Sequence, residues 1–126
     1  MNLNQISLPV TDLSEACKFY QLLGCLQIVD TTHYARFESP EGPATFSLNL
    51  VQECPPHGVV IYFEVADVDS TCVSLQRLGL TIDEQPETKR WLWREASLRD
   101  PSGNQVRIYH AGVNRRHPPW RVTTAG

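Results

Sequence analysis

The residues able to do chemistry fall on alternate positions of short strand-like runs. If Ile6, Leu8 and Val10 face a core, strand alternation puts Gln5 and Ser7 on the opposite face. The same parity around Ile61, Phe63 and Val65 groups Val60, Tyr62 and Glu64. Two later runs add Thr45, Ser47 and Asn49, then Gln105, Arg107 and Tyr109. The resulting surface is polar and aromatic, with one acid and one base. Glu64 and Arg107 read in two ways: as a structural ion pair, or as polar anchors of a ligand site, since an arginine fork suits a carboxylate or phosphate. Trp91 and Trp93 are two residues apart. They share one strand face or line a loop, either as packing or as a stacking wall for a planar ligand.

The remaining reactive side chains form no ready site. Cys17, Cys25, Cys54 and Cys72 match no C-x-x-C spacing, and Cys17 and Cys72 fall on apolar helix faces, so reduced thiols are expected. His33, His57, His110 and His117 are scattered, with no i, i+4 or i, i+2 pair to hold a metal. His57 lies three residues before Val60, so a bulge there would swing it toward the polar face.

The elements that position these residues recur. Asp12-Leu13-Ser14-Glu15 reads as a capping box opening a helix, with Leu13, Ala16, Cys17, Tyr20 and Leu23 on its apolar face and Gly24 ending it. A shift of 55 residues carries Ile6, Leu8, Val10, Asp12, Cys17, Leu23 and Gly24 onto Ile61, Phe63, Val65, Asp67, Cys72, Leu78 and Gly79. Short apolar segments follow each helix, Leu26 to Val29 and Leu80 to Ile82, and then a hairpin. The hairpins also match: Ala35, Phe37, Pro40 and Gly42 fall on Ala96, Leu98, Pro101 and Gly103. Each module is therefore strand–helix–strand–strand–strand. Module one spans 3–51, a linker 52–58, module two 59–111 and a tail 112–126. The two modules should share one strand order. A unit of about 55 residues buries too little surface to be secure alone, so two copies must pack together.

Bulk properties narrow the function. The chain has 126 residues, 41% hydrophobic and 20% charged, and a net charge of −3. That balance offers no field for nucleic acid or an anionic membrane, and no apolar run reaches membrane-spanning length. The start of the chain has no basic region or apolar signal core, so a cytoplasmic protein is expected. In the tail, Pro118-Pro119 favours an extended segment, Trp120 should tuck against the domain or a partner, and Thr123 to Gly126 should be disordered.

The runs Ile6-Ser7-Leu8-Pro9-Val10-Thr11-Asp12, Phe19-Tyr20-Gln21-Leu22-Leu23-Gly24 and Asp100-Pro101-Ser102-Gly103-Asn104, together with the duplication, resemble the vicinal oxygen chelate superfamily of glyoxalases, bleomycin-resistance proteins and extradiol dioxygenases. The resemblance implies an α+β fold in which two tandem βαβββ modules form curved mixed sheets around a shared cleft, helices outside, often as a homodimer. It also implies four metal-ligand positions, which fall here on Gln5, Ser47, Val60 and Arg107. Val60 has no donor and Arg107 is a fixed cation, so the expectation is no metal and no cofactor. The cleft would instead bind a small molecule, acidic or aromatic, through Gln5, Ser47, Asn49, Tyr62, Glu64, Trp91, Trp93, Arg107 and Tyr109. The alternatives are a metal-dependent enzyme with an atypical ligand set and a structural protein with a vestigial cleft.

Overall fold

A computed structural model describes residues 1–55 and 58–122. The elements are β1 (Gln5–Val10), α1 (Leu13–Leu22), β2 (Leu26–Asp30), β3 (Tyr34–Glu38), β4 (Thr45–Leu50), β5 (Val60–Glu64), α2 (Val68–Arg77), β6 (Glu84–Thr88), β7 (Arg94–Arg99) and β8 (Gln105–His110). The strand orders are β1-β4-β3-β2 and β5-β8-β7-β6, one order written twice. In the first sheet β1 runs parallel to β4, while β4–β3 and β3–β2 are antiparallel. In the second, amide bonds link Gln105 to Val59 and Val65 to Tyr109, so β5 and β8 run the same way. The fold is α+β, two βαβββ modules with two four-stranded mixed sheets.

The duplication reaches the helix ends. Asp12 and Asp67 are extended caps (φ −136°, ψ 99° and φ −133°, ψ 102°), each accepting an amide bond three residues on, from Glu15 and Ser70, at 3.0 Å. The Glu15 carboxylate bonds Lys18 at 3.4 Å. Gly24 and Gly79 end the helices at φ 94° and 95°. Behind them Cys25 and Leu80 close the last turns by donating to Tyr20 and Leu75. Only glycine adopts that left-handed backbone without a Cβ clash, which is why it recurs at that offset.

Two compact units make up the chain. The first comprises Met1–Ile61 with Arg99–Val106. Its core is an aromatic cluster: Tyr20 sits edge-on to Phe19 and Phe46, both at 5.0 Å, and Phe37 stacks on Phe46 at 5.5 Å. Leu8, Val10, Ala16 and Leu48 complete it. Such burial contributes roughly 1.5–3 kcal/mol for each large side chain. The second unit, Tyr62–Leu98 with Arg107–Gly126, is built on Val68, Cys72, Leu75, Ile82, Ala96, Leu98 and Ile108.

Several expectations need correction. After α2 the strand forms at Glu84–Thr88, not at the apolar Leu80–Ile82. It lies at a sheet edge, where Pro86 costs no ladder bond on its solvent side. Cys17 is only half-buried, whereas Cys25 is buried and its thiol is pushed up to about 12 by that burial. Ile6 and Leu78 are partly exposed, at 38% and 55%, because each lies near the end of its element. The tail begins with a 3-10 turn at Gly112–Arg115, and Trp120 is 56% exposed in the single chain. His57 and the Thr123 to Gly126 stretch lie outside the described residues. No helix is long and apolar enough to cross a membrane, among the described residues.

Candidate functional site

The second unit carries an aromatic wall. Tyr62 on β5 meets Trp93 edge-on at 5.8 Å and Tyr109 on β8 at 5.3 Å; Trp93 stacks on Tyr109 at 4.9 Å with planes 27° apart. Tyr109 is buried and Trp93 half-buried, while Tyr62 stays 45% exposed and gives the wall an open edge. Burial, followed by the nearby Glu64 charge, pushes the Tyr109 phenol above its ordinary range.

Trp91 and Trp93 lie in the β6–β7 turn, the loop alternative of the two sequence readings. Lys89 donates its amide to Trp93 at 2.8 Å and Leu92 donates to Lys89 at 2.9 Å, closing the turn with Leu92 at φ 68°. A non-glycine residue there carries strain. The Trp93 indole donates to the Asn114 carbonyl (3.4 Å), and the Trp91 indole to Glu95 Oε2 (3.2 Å). Sequence reading passed over Glu95. Its parity along β7 was visible, but the indole contact depends on the turn.

Arg107 is half-buried, between the core residues Val106 and Ile108, so it shares a face with Tyr109. Glu64 has a distinct task. Its Oε2 accepts the amides of Ala111 (2.8 Å) and Gly112 (2.9 Å), with His110 Nδ1 and Arg115 Nε each 3.9 Å from the carboxylate. Burial alone pushes this carboxyl up. The two amides, His110 and Arg115 outweigh it and hold the pKa below its ordinary value. His110 Nδ1 lies 2.8 Å from the Val65 carbonyl, which only accepts, so that nitrogen carries the hydrogen.

The first unit carries a hydroxyl-rich face. Register places Ser7, Ser47 and Arg36 side by side across β1, β4 and β3, with Gln5 beside Thr45, and Asn49 between Pro9 and Tyr34. Ser47 is 1% exposed, and its Oγ lies 2.7 Å from that of Ser7. Gln5 Nε2 donates to Ser47 Oγ and to the Ile6 carbonyl, both at 3.0 Å, while Gln5 Oε1 accepts the Thr45 hydroxyl. Arg36 Nε donates to the Tyr34 hydroxyl at 2.9 Å, with the guanidinium over the Tyr34 ring at 5.4 Å. The nearby Ser47 hydroxyl, followed by Arg36, lowers the Tyr34 phenol pKa.

The four implied metal positions do not fit a divalent ion. The Gln5 amide oxygen is already engaged by Thr45, and the buried Ser47 hydroxyl is bonded to Gln5 and Ser7. Val60 offers no donor, and Arg107 puts a permanent cation where a ligand would stand. Among the described residues, no group of three or more His, Cys, Asp or Glu could hold a metal.

Residues 2–108 match the family model of the Glyoxalase/Bleomycin resistance protein/Dioxygenase superfamily, and the chain belongs to that superfamily. No curated protein sequence matches it. Among solved structures it resembles a lactoylglutathione lyase from Agrobacterium tumefaciens, at 20% identity and TM-score 0.74, covering 89% of this chain and 95% of that one. A glyoxalase/bleomycin resistance protein/dioxygenase from Nocardioides has TM-score 0.78 at 18% identity, covering 98% and 90%. A bleomycin-binding protein complexed with bleomycin has TM-score 0.70 at 17% identity, covering 87% and 98%. At these identities the likeness defines the fold alone.

Proposed function

We propose that this chain is a metal-free small-molecule-binding protein that holds a planar aromatic ligand against the Tyr62–Trp93–Tyr109 wall. The observation that carries the reading is that wall: two rings locked by a stack and an indole bond, with a third left open at its edge. Arg107, on the same face as Tyr109, supplies a cation for an acidic substituent. Trp91 extends the apolar surface. Glu64 serves by fixing the start of the 3-10 turn whose Asn114 carbonyl receives the Trp93 indole. That a relative of this fold binds bleomycin supports a binding role, as does a donor set unsuited to metal.

Calorimetric titration with 2-naphthoate tests this. Saturable binding is expected, weakened about tenfold by Trp93→Ala through loss of the stack, and further weakened by Arg107→Gln. Binding unchanged in both variants would overturn it. We also read the chain as a homodimer, because the tail leaves Val113 and Trp120 exposed.

A further inference from the structure

The second sheet buries a carboxyl group that the proposed function leaves unused. Along β7, Ala96 and Leu98 face the core, so Glu95 and Ser97 stand on the opposite face, with Tyr62 of β5 and Tyr109 of β8. The Asp100 amide donates to the Asn104 carbonyl at 2.9 Å where β7 and β8 meet their turn. Unbroken antiparallel pairing of these two six-residue strands from that bond sets Glu95 opposite Tyr109 and Ser97 opposite Arg107. Glu95 therefore flanks the aromatic wall.

Its two oxygens are used unequally. Oε2 accepts the Trp91 indole at 3.2 Å. Among the described residues Oε1 has no donor, although Glu95 is only 7% exposed. Oε1 is not itself sealed from outside. A carboxyl group with so little access to water needs donors from elsewhere. The neighbouring cation is engaged by other acids: Lys89 Nζ lies 3.2 Å from Glu87 and 3.7 Å from Glu84. Register places Glu87 beside Glu95 and Glu84 beside Ser97, so three carboxyl groups share this lysine. Such a set takes a hydrogen-bond donor and turns an anion away.

We propose that Glu95 is a specificity-determining residue of the wall: Oε1 accepts an O–H or N–H from the ligand's ring, so the ligand is an aromatic acid with a donor at the end away from its acid group. The proposal rests on the aromatic wall as the binding surface and on Arg107 as the partner of the acid group. Glu95 and Arg107 stand one strand and two residues apart, about 8 Å between backbones. A two-ring system substituted at both ends spans that gap.

The test is calorimetric titration with 2-naphthoate, 6-hydroxy-2-naphthoate and 6-fluoro-2-naphthoate. Fluorine fills the hydroxyl's place with no hydrogen to donate. Wild type should bind the hydroxy acid about tenfold more tightly than either of the others. In Glu95→Met, which keeps the bulk and removes the acceptor, that ratio should fall to about one. A ratio cancels any general effect of the substitution on the fold or the wall. The fluoro comparison in wild type keeps the test decisive if Glu95→Met does not fold. A hydroxy acid bound no more tightly than 2-naphthoate, or a ratio that persists in Glu95→Met, would overturn the role of Glu95 and leave the wall standing. No binding of any of the three would overturn both.

Discussion

The Tyr20 hydroxyl donates to Asp100 Oδ2 at 2.8 Å, joining residues 80 positions apart. Asn104 Nδ2 reaches the same oxygen at 2.9 Å and the Pro9 carbonyl at 2.7 Å, while Asp100 Oδ1 accepts the amides of Ser102 and Asn104. Ser102 Oγ in turn accepts the Thr11 amide at 2.8 Å. The turn of the second hairpin is thus bonded to the first helix and first strand. Asp100 is 4% exposed, so its carboxylate depends on those donors in place of water.

Tyr20→Phe should therefore cost about 1.5–3 kcal/mol, the range for a bond to a charged group, and Asp100→Ala at least as much. Urea unfolding measures both. Burial, then the Asp100 charge, raises the Tyr20 pKa. The stabilisation is thus complete below the unfolded phenol value of about 10 and falls as pH rises beyond it. Tyr20→Phe should flatten that alkaline decline. An unchanged decline would reject the assignment.

Glu64 should anchor the tail in a pH-dependent way. Its lowered pKa means that ionised Glu64 stabilises the fold above its ordinary value of 4.5, and the effect is lost as pH falls through the lower folded value. Amide exchange at Ala111 and Gly112 should be faster in Glu64→Gln than in wild type at pH 7, the two converging in acid. Equal protection at neutral pH would show that the carboxylate does not hold these amides.

Leu92 at φ 68° predicts a gain on substitution. Leu92→Gly relieves the left-handed strain, offset in part by glycine's unfolded-state entropy, for a net stabilisation of up to about 1 kcal/mol. A clear loss in thermal unfolding would mean that Leu92 packing outweighs the backbone term.

Trp120 offers a test of assembly. If its exposed ring is covered by a second copy, wild type sediments as a dimer at micromolar concentration and Trp120→Ser shifts it toward monomer. A wild-type monomer would exclude the dimer.

The fold was legible because periodicity and punctuation agreed at both copies: Asp12 with Asp67, Gly24 with Gly79, Phe37 with Leu98. β6 was not, since Glu84–Thr88 is an edge strand whose polar sequence and Pro86 carry no alternation. Parity did group Tyr62 with Tyr109, whose rings meet at 5.3 Å. It could not place Trp93, whose position depends on a strained turn. Nor could it foresee the Tyr20–Asp100 bond, because sequence patterns report local period and not which turn lands on which helix.

Calorimetric titration of 2-naphthoate into protein dialysed against EDTA, and into the same protein reloaded with zinc or nickel, separates a metal-free site from a metal-dependent one. The aromatic wall predicts saturable binding with the same affinity in both. Binding that appears only after metal is restored would contradict a metal-free site.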